Sequence, residues 1–344
     1  MGQVSLESTI PARNRRTDLA SGTALTLYVA LASFVIHLLF AGNYGYFRDE
    51  LYYIVSGQHL QLGYVDFPPL IAYIAAFMNF VAGDSLVGIH LVPALASSIL
   101  IFVAGKIAKE LGGSKWAQLL AAGATAVSAV MAWGSIFSMD VLDGLWWSLA
   151  AFLIVRLIKR DQTKLWILVG VVFGVGLLTK LTIAFFIFAV LISLAATKYR
   201  RYFKSPWFWG AGLLVLAFLT PYAIWNAMNG WPTVDFYIHH GGLNGSGPVG
   251  FLALQLLIMN PVNLPLVIAG LVFYLRRPAG SQFKLLGVAY IVLLIVFALT
   301  NAKPYFIGPM YPLLFAGGSL LFTAATSRRW VWWLTRRVFP VVLV

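Results

Sequence analysis

The chain has 344 residues, 60% of them hydrophobic and 10% charged, with 24 Lys and Arg against 11 Asp and Glu, a net charge of +13 and no cysteine. Soluble domains carry about 25% charged residues, so the composition excludes an ordinary soluble globular protein. It also excludes disulfides, thiolate metal sites and cysteine nucleophiles. The positive charge sits in short segments between apolar runs. That placement suits contact with anionic membrane lipids and argues against nucleic acid as a partner.

In chain order, residues 1–19 are polar and read as a cytoplasmic tail. Ten apolar runs follow at 20–41, 86–108, 116–136, 141–158, 165–179, 181–197, 207–227, 249–275, 284–300 and 305–325. Crossing a bilayer takes roughly 20 apolar residues as a helix. A further apolar run begins where the sequence ends, so the expectation is an all-α polytopic protein with about 10–11 transmembrane helices, forming one membrane domain over 20–344. The first run follows Arg13–Arg16 but exceeds the roughly 7–15 apolar residues of a signal peptide, and it reads as a retained span. The fifth and sixth runs nearly meet at Thr179-Lys180, which makes Lys180 a hairpin tip. Gly170 and Gly174 form a small-xxx-small pair, the signature of two closely packed helices.

Assigning alternate connections to opposite membrane faces puts every Lys and Arg except Arg48, Lys180 and Lys303 on one side. Lys and Arg in short loops resist translocation, so that side is expected to be cytoplasmic. Two long connections, 42–85 and 228–248, then lie outside. The first contains the apolar stretch Pro68–Ala82, too short to span and expected to lie as an interfacial helix. The second contains His239-His240 and a glycine-rich run from Gly241 to Gly247, the composition of a mobile lid.

The chemistry-bearing residues gather on the expected outer side. Asp49 and Glu50 beside Arg48 form a carboxylate pair whose proton affinity neighbours can tune, as a general base requires; a solvated acid pair is the plainer alternative. Asp140 and Asp143 open a span at i and i+3 and share a helix face. Asp140 alone would serve as a helix cap. Asp143 lies deeper, where a carboxylate costs about 2.5–3.5 kcal/mol on insertion scales and marks function by default, and it is expected to face the substrate cavity or the carboxylate-basic cluster. Asp66 stands on the same side as a substrate-cavity candidate. Lys180 and Lys303 could each be snorkelling lysines; with Arg48 they also make a cluster able to neutralise a phosphate. His37, His59 and His90 are isolated and read as structural. His239-His240 is the candidate metal pair or cavity lining; adjacent side chains need further ligands, so no cofactor is assigned and a divalent metal stays open.

Arg48-Asp49-Glu50-Leu51-Tyr52, followed by Gly63-Tyr64-Val65-Asp66-Phe67-Pro68-Pro69-Leu70, resembles the first outer loop of the protein O-mannosyltransferase and aminoarabinose transferase superfamily. Ser138-Met139-Asp140, Gly176-Leu177-Leu178-Thr179-Lys180 and Asn301-Ala302-Lys303-Pro304-Tyr305-Phe306 resemble its later motifs, in the same order, across about residues 20–325. Phe67 departs from the aminoarabinose transferases, which carry a lysine directly before the Pro-Pro pair. The resemblance implies a GT-C membrane fold and transfer of a sugar from a polyprenyl phosphate. It implies Asp49 as the catalytic carboxylate with Glu50 as its acidic neighbour, Asp140 as a second essential carboxylate, and Lys180, Lys303 and Tyr305 on the phosphate side.

The expected function is therefore inverting glycosyl transfer, from a polyprenyl-monophosphate sugar to a glycan, lipid or protein acceptor at the outer face of a bacterial plasma membrane. A lipid-linked sugar transporter or flippase would share the phosphate-binding charges, but such proteins tend to bind at the bilayer midplane within broken, repeated helices. A non-catalytic subunit of a glycan assembly complex is the other alternative.

Overall fold

The computed structural model describes residues 21–239 and 246–325. The polar tail at 1–19, His240 with most of the glycine-rich run, and the last apolar run lie outside these. The described chain is helical: α1 (Gly22–Phe40), α2 (Arg48–Gln58), α3 (Leu70–Ala82), α4 (Leu86–Glu110), α5 (Lys115–Ala126), α6 (Val130–Trp133), α7 (Met139–Arg160), α8 (Leu165–Thr179), α9 (Ile183–Ala195), α10 (Pro206–Met228), α11 (Pro232–His239), α12 (Gly247–Met259), α13 (Leu264–Arg276), α14 (Pro278–Ser281), α15 (Lys284–Leu299) and α16 (Tyr311–Ala325). Hydrocarbon offers backbone groups no hydrogen-bond partner, and a helix satisfies them within one segment.

Serines start several of these helices. Ser21, Ser85 and Ser114 each accept a backbone N–H three residues on, and Ser138 accepts that of Asp140 at 3.3 Å. Such side chains fill acceptor positions that the first turn leaves open. Left-handed residues end others: Gly83 (φ 58°) follows α3 and Asp161 (φ 51°) follows α7. Two buried clusters hold the bundle. One centres on Trp147, Phe186, Tyr274 and Phe297, the other on Tyr53, Phe67, Phe137 and Leu142.

By length and composition five described helices can cross a membrane, or seven if each of two sharply bent pairs counts as one span; α3, α8 and α15 are shorter apolar helices. The chain is thus a multi-pass membrane protein. The run read as one span over 249–275 is broken: α12 and α13 meet at a 93° bend. Asn260 takes a left-handed φ of 65° there and Pro261 follows; hydropathy averaged over the run does not register such a break, although the Asn260-Pro261 dipeptide is a turn signal. Two helices occupy the first long connection. Besides the expected α3, the motif Arg48-Asp49-Glu50 opens α2. At the opposite, basic end, Glu110 lies 3.3–3.7 Å from Lys159, Arg160 and Arg156.

The Gly170–Gly174 expectation holds. A Cβ at Gly170 would come 2.7 Å from the Ala211 Cα, and one at Gly174 would come 2.4 Å from the Phe218 ring. These glycines let α8 and α10 touch backbone to backbone. Because the obstacle at Gly170 is main chain, Gly170→Val should lower stability by about 1–3 kcal/mol, the usual cost of overpacking. Thermal unfolding in detergent should show a lowered midpoint, and an unchanged one would mean the helices separate freely.

Candidate active site

Asp49 and Glu50 are adjacent on α2, so their side chains diverge around the helix. Asp49 stays partly exposed and accepts a hydrogen bond from Arg48 Nε at 3.0 Å, while the Arg48 side chain is 87% exposed. Glu50 turns inward and is buried. Its Oε1 accepts from the Phe137 N–H at 2.5 Å and from His90 Nε2 at 2.9 Å, and its Oε2 accepts from the Phe47 N–H at 2.7 Å. Burial by itself pushes the Glu50 carboxyl up, but His90 and the two amides outweigh it and hold the group below its ordinary value. A carboxylate so engaged has little capacity left for another donor, whereas Asp49 keeps part of its surface open.

Asp140 sits in the first turn of α7, behind Ser138, where the helix dipole favours a carboxylate. Lys180, in extended conformation just after α8, places its Nζ 2.5 Å from Asp140 Oδ1. The same ammonium lies 4.9 Å from the centroid of the Tyr305 ring and 5.3 Å from that of Phe306, within cation–π range. Burial opposes the charge on Lys180, but Asp140, with Tyr305 and Asp143 behind it, raises its pKa above that of an ordinary lysine. The structure therefore joins Asp140, Lys180 and Tyr305 from three distant motifs.

Lys303 stands two residues before Tyr305, half-buried, and its ammonium forms no ion pair among the described residues. The turn that carries it is well anchored. Asn301, at φ 55°, accepts the Gly247 N–H through its side chain at 2.8 Å, and the Pro304 carbonyl accepts from Gln255 Nε2 at 3.0 Å. Asp66 accepts the Tyr52 hydroxyl at 2.8 Å. Phe67 is buried among the rings of Tyr52, Tyr53 and Tyr64 at 4.7–5.2 Å.

Two tyrosines that the motif reading did not select belong to the same region. Tyr53 follows Asp49 by four residues and shares its helix face. Its hydroxyl pKa is raised first by burial, then by Asp140, with Asp49 and Asp66 adding to this and Lys180 opposing. Tyr237 on α11 is likewise raised by burial, against the pull of Lys180 and with Asp66 and Tyr305 contributing. The i+4 spacing could have identified Tyr53, whereas Tyr237 arrives only through the fold.

Of the other candidates, Asp143 reaches this cluster only through its charge, behind Asp140 and Tyr305 in its effect on Lys180. Asp143 is buried and accepts from Trp147 Nε1 at 2.9 Å and Thr182 Oγ1 at 2.6 Å, tying α7 to the start of α9. His239 pairs with Asp235 at 3.0 Å, both well exposed. His37 and His90 are satisfied structural histidines, with His37 Nδ1 2.6 Å from the Ser33 carbonyl oxygen and Nε2 3.0 Å from that of Met131. Among the described residues no group of three or more His, Asp or Glu could hold a metal ion.

Residues 66–225 match the family model described as dolichyl-phosphate-mannose-protein mannosyltransferase. The structure resembles that of ArnT from Cupriavidus metallidurans bound to undecaprenyl phosphate, with a TM-score of 0.68 and 16% identity over 92% of this chain and 63% of that one. ArnT in the apo state gives a TM-score of 0.67 and 16% identity over 89% and 60%. The Archaeoglobus fulgidus oligosaccharyltransferase in its apo form gives 0.57 and 14% identity over 92% and 52%. This chain thus spans less than two thirds of the length of these proteins. No curated protein sequence matches it. The expected GT-C membrane fold and the superfamily resemblance both hold.

The Asp140–Lys180 pair yields a double-mutant test. Lys180→Met leaves Asp140 without its counter-charge and should destabilise by about 1–3 kcal/mol, below the cost for a fully buried pair. Adding Asp140→Asn should restore part of that loss. Equal and additive losses in thermal unfolding would mean the two groups do not interact.

Proposed function

We propose that this chain, a GT-C-fold relative of the protein O-mannosyltransferase and aminoarabinose transferase superfamily, moves a sugar from a polyprenyl-monophosphate donor to an acceptor hydroxyl at the outer face of a bacterial plasma membrane. The observation that carries this reading is the Asp140–Lys180–Tyr305 cluster, with partly exposed Asp49 on α2 and, two residues from Tyr305, a Lys303 that forms no ion pair among the described residues. A lipid phosphate needs cations, and a transfer needs a base; both kinds of group are available.

In this mechanism Asp49 accepts the proton of the attacking hydroxyl as its oxygen reaches the anomeric carbon. The bond from that carbon to the phosphate oxygen breaks, and a single displacement inverts the centre. Lys180 and Lys303 stabilise the negative charge growing on the phosphate. Such electrostatic help is strongest when the groups are already oriented and water is excluded. Asp140 and the Tyr305 ring keep the Lys180 ammonium in place. Arg48, exposed and bonded to Asp49, adds a cation at the entrance, and Asp66 and Tyr237 border the space for the sugar. Helix α3 guides the prenyl tail. The structural neighbour bound to undecaprenyl phosphate supports a lipid-phosphate donor. The acceptor is a glycan, lipid or protein, and membrane lipids surround the domain.

A flippase would move the intact donor and release no free carrier. Reconstituted wild-type protein should release polyprenyl phosphate from a polyprenyl-phosphate sugar when an acceptor is present. Asp49→Asn should reduce that release by about 10²–10⁴-fold while donor binding persists, as expected for loss of a general base. Release at the normal rate would transfer the role to another carboxylate, and donor movement without any release would favour the flippase.

The orientation follows from the charge distribution. With Gln58→Cys at the exposed end of α2, a membrane-impermeant thiol reagent should label intact cells. Lys284→Cys, at the basic end, should react only after lysis. The reverse pattern would put the site on the cytoplasmic side.

A further inference from the structure

Glu50 points about 100° around α2 from Asp49 and inward against His90 on α4. The Glu50 and His90 side chains are 1% and 6% exposed, and they are 2.9 Å apart. His90 Nδ1 lies 2.7 Å from the Ala41 carbonyl oxygen. A carbonyl only accepts, so Nδ1 carries a proton. Nε2 faces a carboxylate that already accepts two backbone N–H groups, so it donates as well. The imidazole thus donates at both nitrogens, and with Glu50 it ties four segments together: His90 on α4 reaches Ala41 at the end of α1, while Glu50 accepts from Phe47 at the start of α2 and from the strap at Phe137.

Two of those segments lead directly to the proposed chemistry. Phe47 is followed by Arg48 and Asp49; Phe137 is followed by Ser138, which caps the turn bearing Asp140. On the other side of the pair is a cavity of about 420 Å³ walled by Phe40, Tyr44, Phe47, Ile136 and His37. Apart from Glu50 and His90, its titratable lining is limited to His37, Tyr44 and Tyr46.

We infer that Glu50 and His90 are positioning residues: their buried ion pair sets the separation between Asp49 and Asp140, and neither residue touches the substrate. The inference rests on the transferase reading above. It differs from an acid–base role for Glu50, because the same oxygen that bonds His90 also bonds the strap leading to Asp140. Removing His90 removes a donor and a charge from a carboxylate that is only 1% exposed, which loosens both attached segments. A misplacement of about 1 Å at reacting groups can cost on the order of 10²-fold in rate.

The test uses the full chain in lipid, with three variants. His90→Ala should lower kcat by about 10–100-fold while the donor KM stays within about threefold, the signature of lost transition-state geometry. In an Asp49→Asn background the same substitution should cost less than about threefold, because the group it positions is already disabled. His90→Arg keeps the charge and several donors, has the adjacent cavity for its extra length, and should recover most of kcat. If His90→Ala does not fold, His90→Gln is read in the same way.

A normal kcat in His90→Ala overturns the inference, as does an equal loss in both backgrounds without rescue by arginine. Hydrogen exchange at the Phe47 and Phe137 amides supplies an arm independent of catalysis. Both should exchange faster in His90→Ala with no substrate present. Unchanged exchange refutes the positioning role. Faster exchange in a protein whose wild type transfers no sugar leaves the linkage standing and refutes the reaction instead.

Discussion

The contact on which the site depends is the ion pair between Asp140 and Lys180. It joins the first turn of α7, the hairpin tip after α8 and, through the Tyr305 ring, the turn before α16. Each of these is an end of a helix. Inside the bundle the backbone must satisfy itself, so irregular geometry and charge are driven to where helices stop. A lysine held between a carboxylate and two aromatic faces is both partly desolvated and paired. That keeps a cation available while excluding most of the water that would weaken its field.

The neighbouring carboxylates show how burial assigns different work to one residue type. Asp143 is buried and satisfied by Trp147 and Thr182, which makes it a clasp between α7 and α9. Glu50 is equally hidden and clasps α2 to α4 and to the strap before α7. Asp49 and Asp140 keep part of their surface open. In an apolar bundle each buried carboxylate demands its own set of donors, so the polar side chains divide into those that hold helices in register and those with capacity left for a ligand.

Much of this was legible in the sequence. The helical membrane class followed from run length and the scarcity of charge, and the Gly170–Gly174 packing followed from residue size. The ordered motifs indicated the GT-C fold as well as Asp140, Lys180 and Tyr305 as site candidates. Less legible were the break at Asn260-Pro261 inside one continuous apolar run, helix α2 within the motif loop, and the partner of His90, forty positions from Glu50.

The sequence by itself determined membrane class, the position of most apolar helices and the identity of the polar minority, because hydropathy, charge asymmetry and motif spacing are local properties of the chain. Only the tertiary structure decided which polar residues meet. Asp49 and Glu50 are neighbours in sequence, yet one opens toward Tyr53 and the region of Lys180 while the other is sealed against His90. A helix turns about 100° per residue, so adjacency on the chain separates side chains in space. Contacts between residues forty or more positions apart arise only when packed helices bring their ends together.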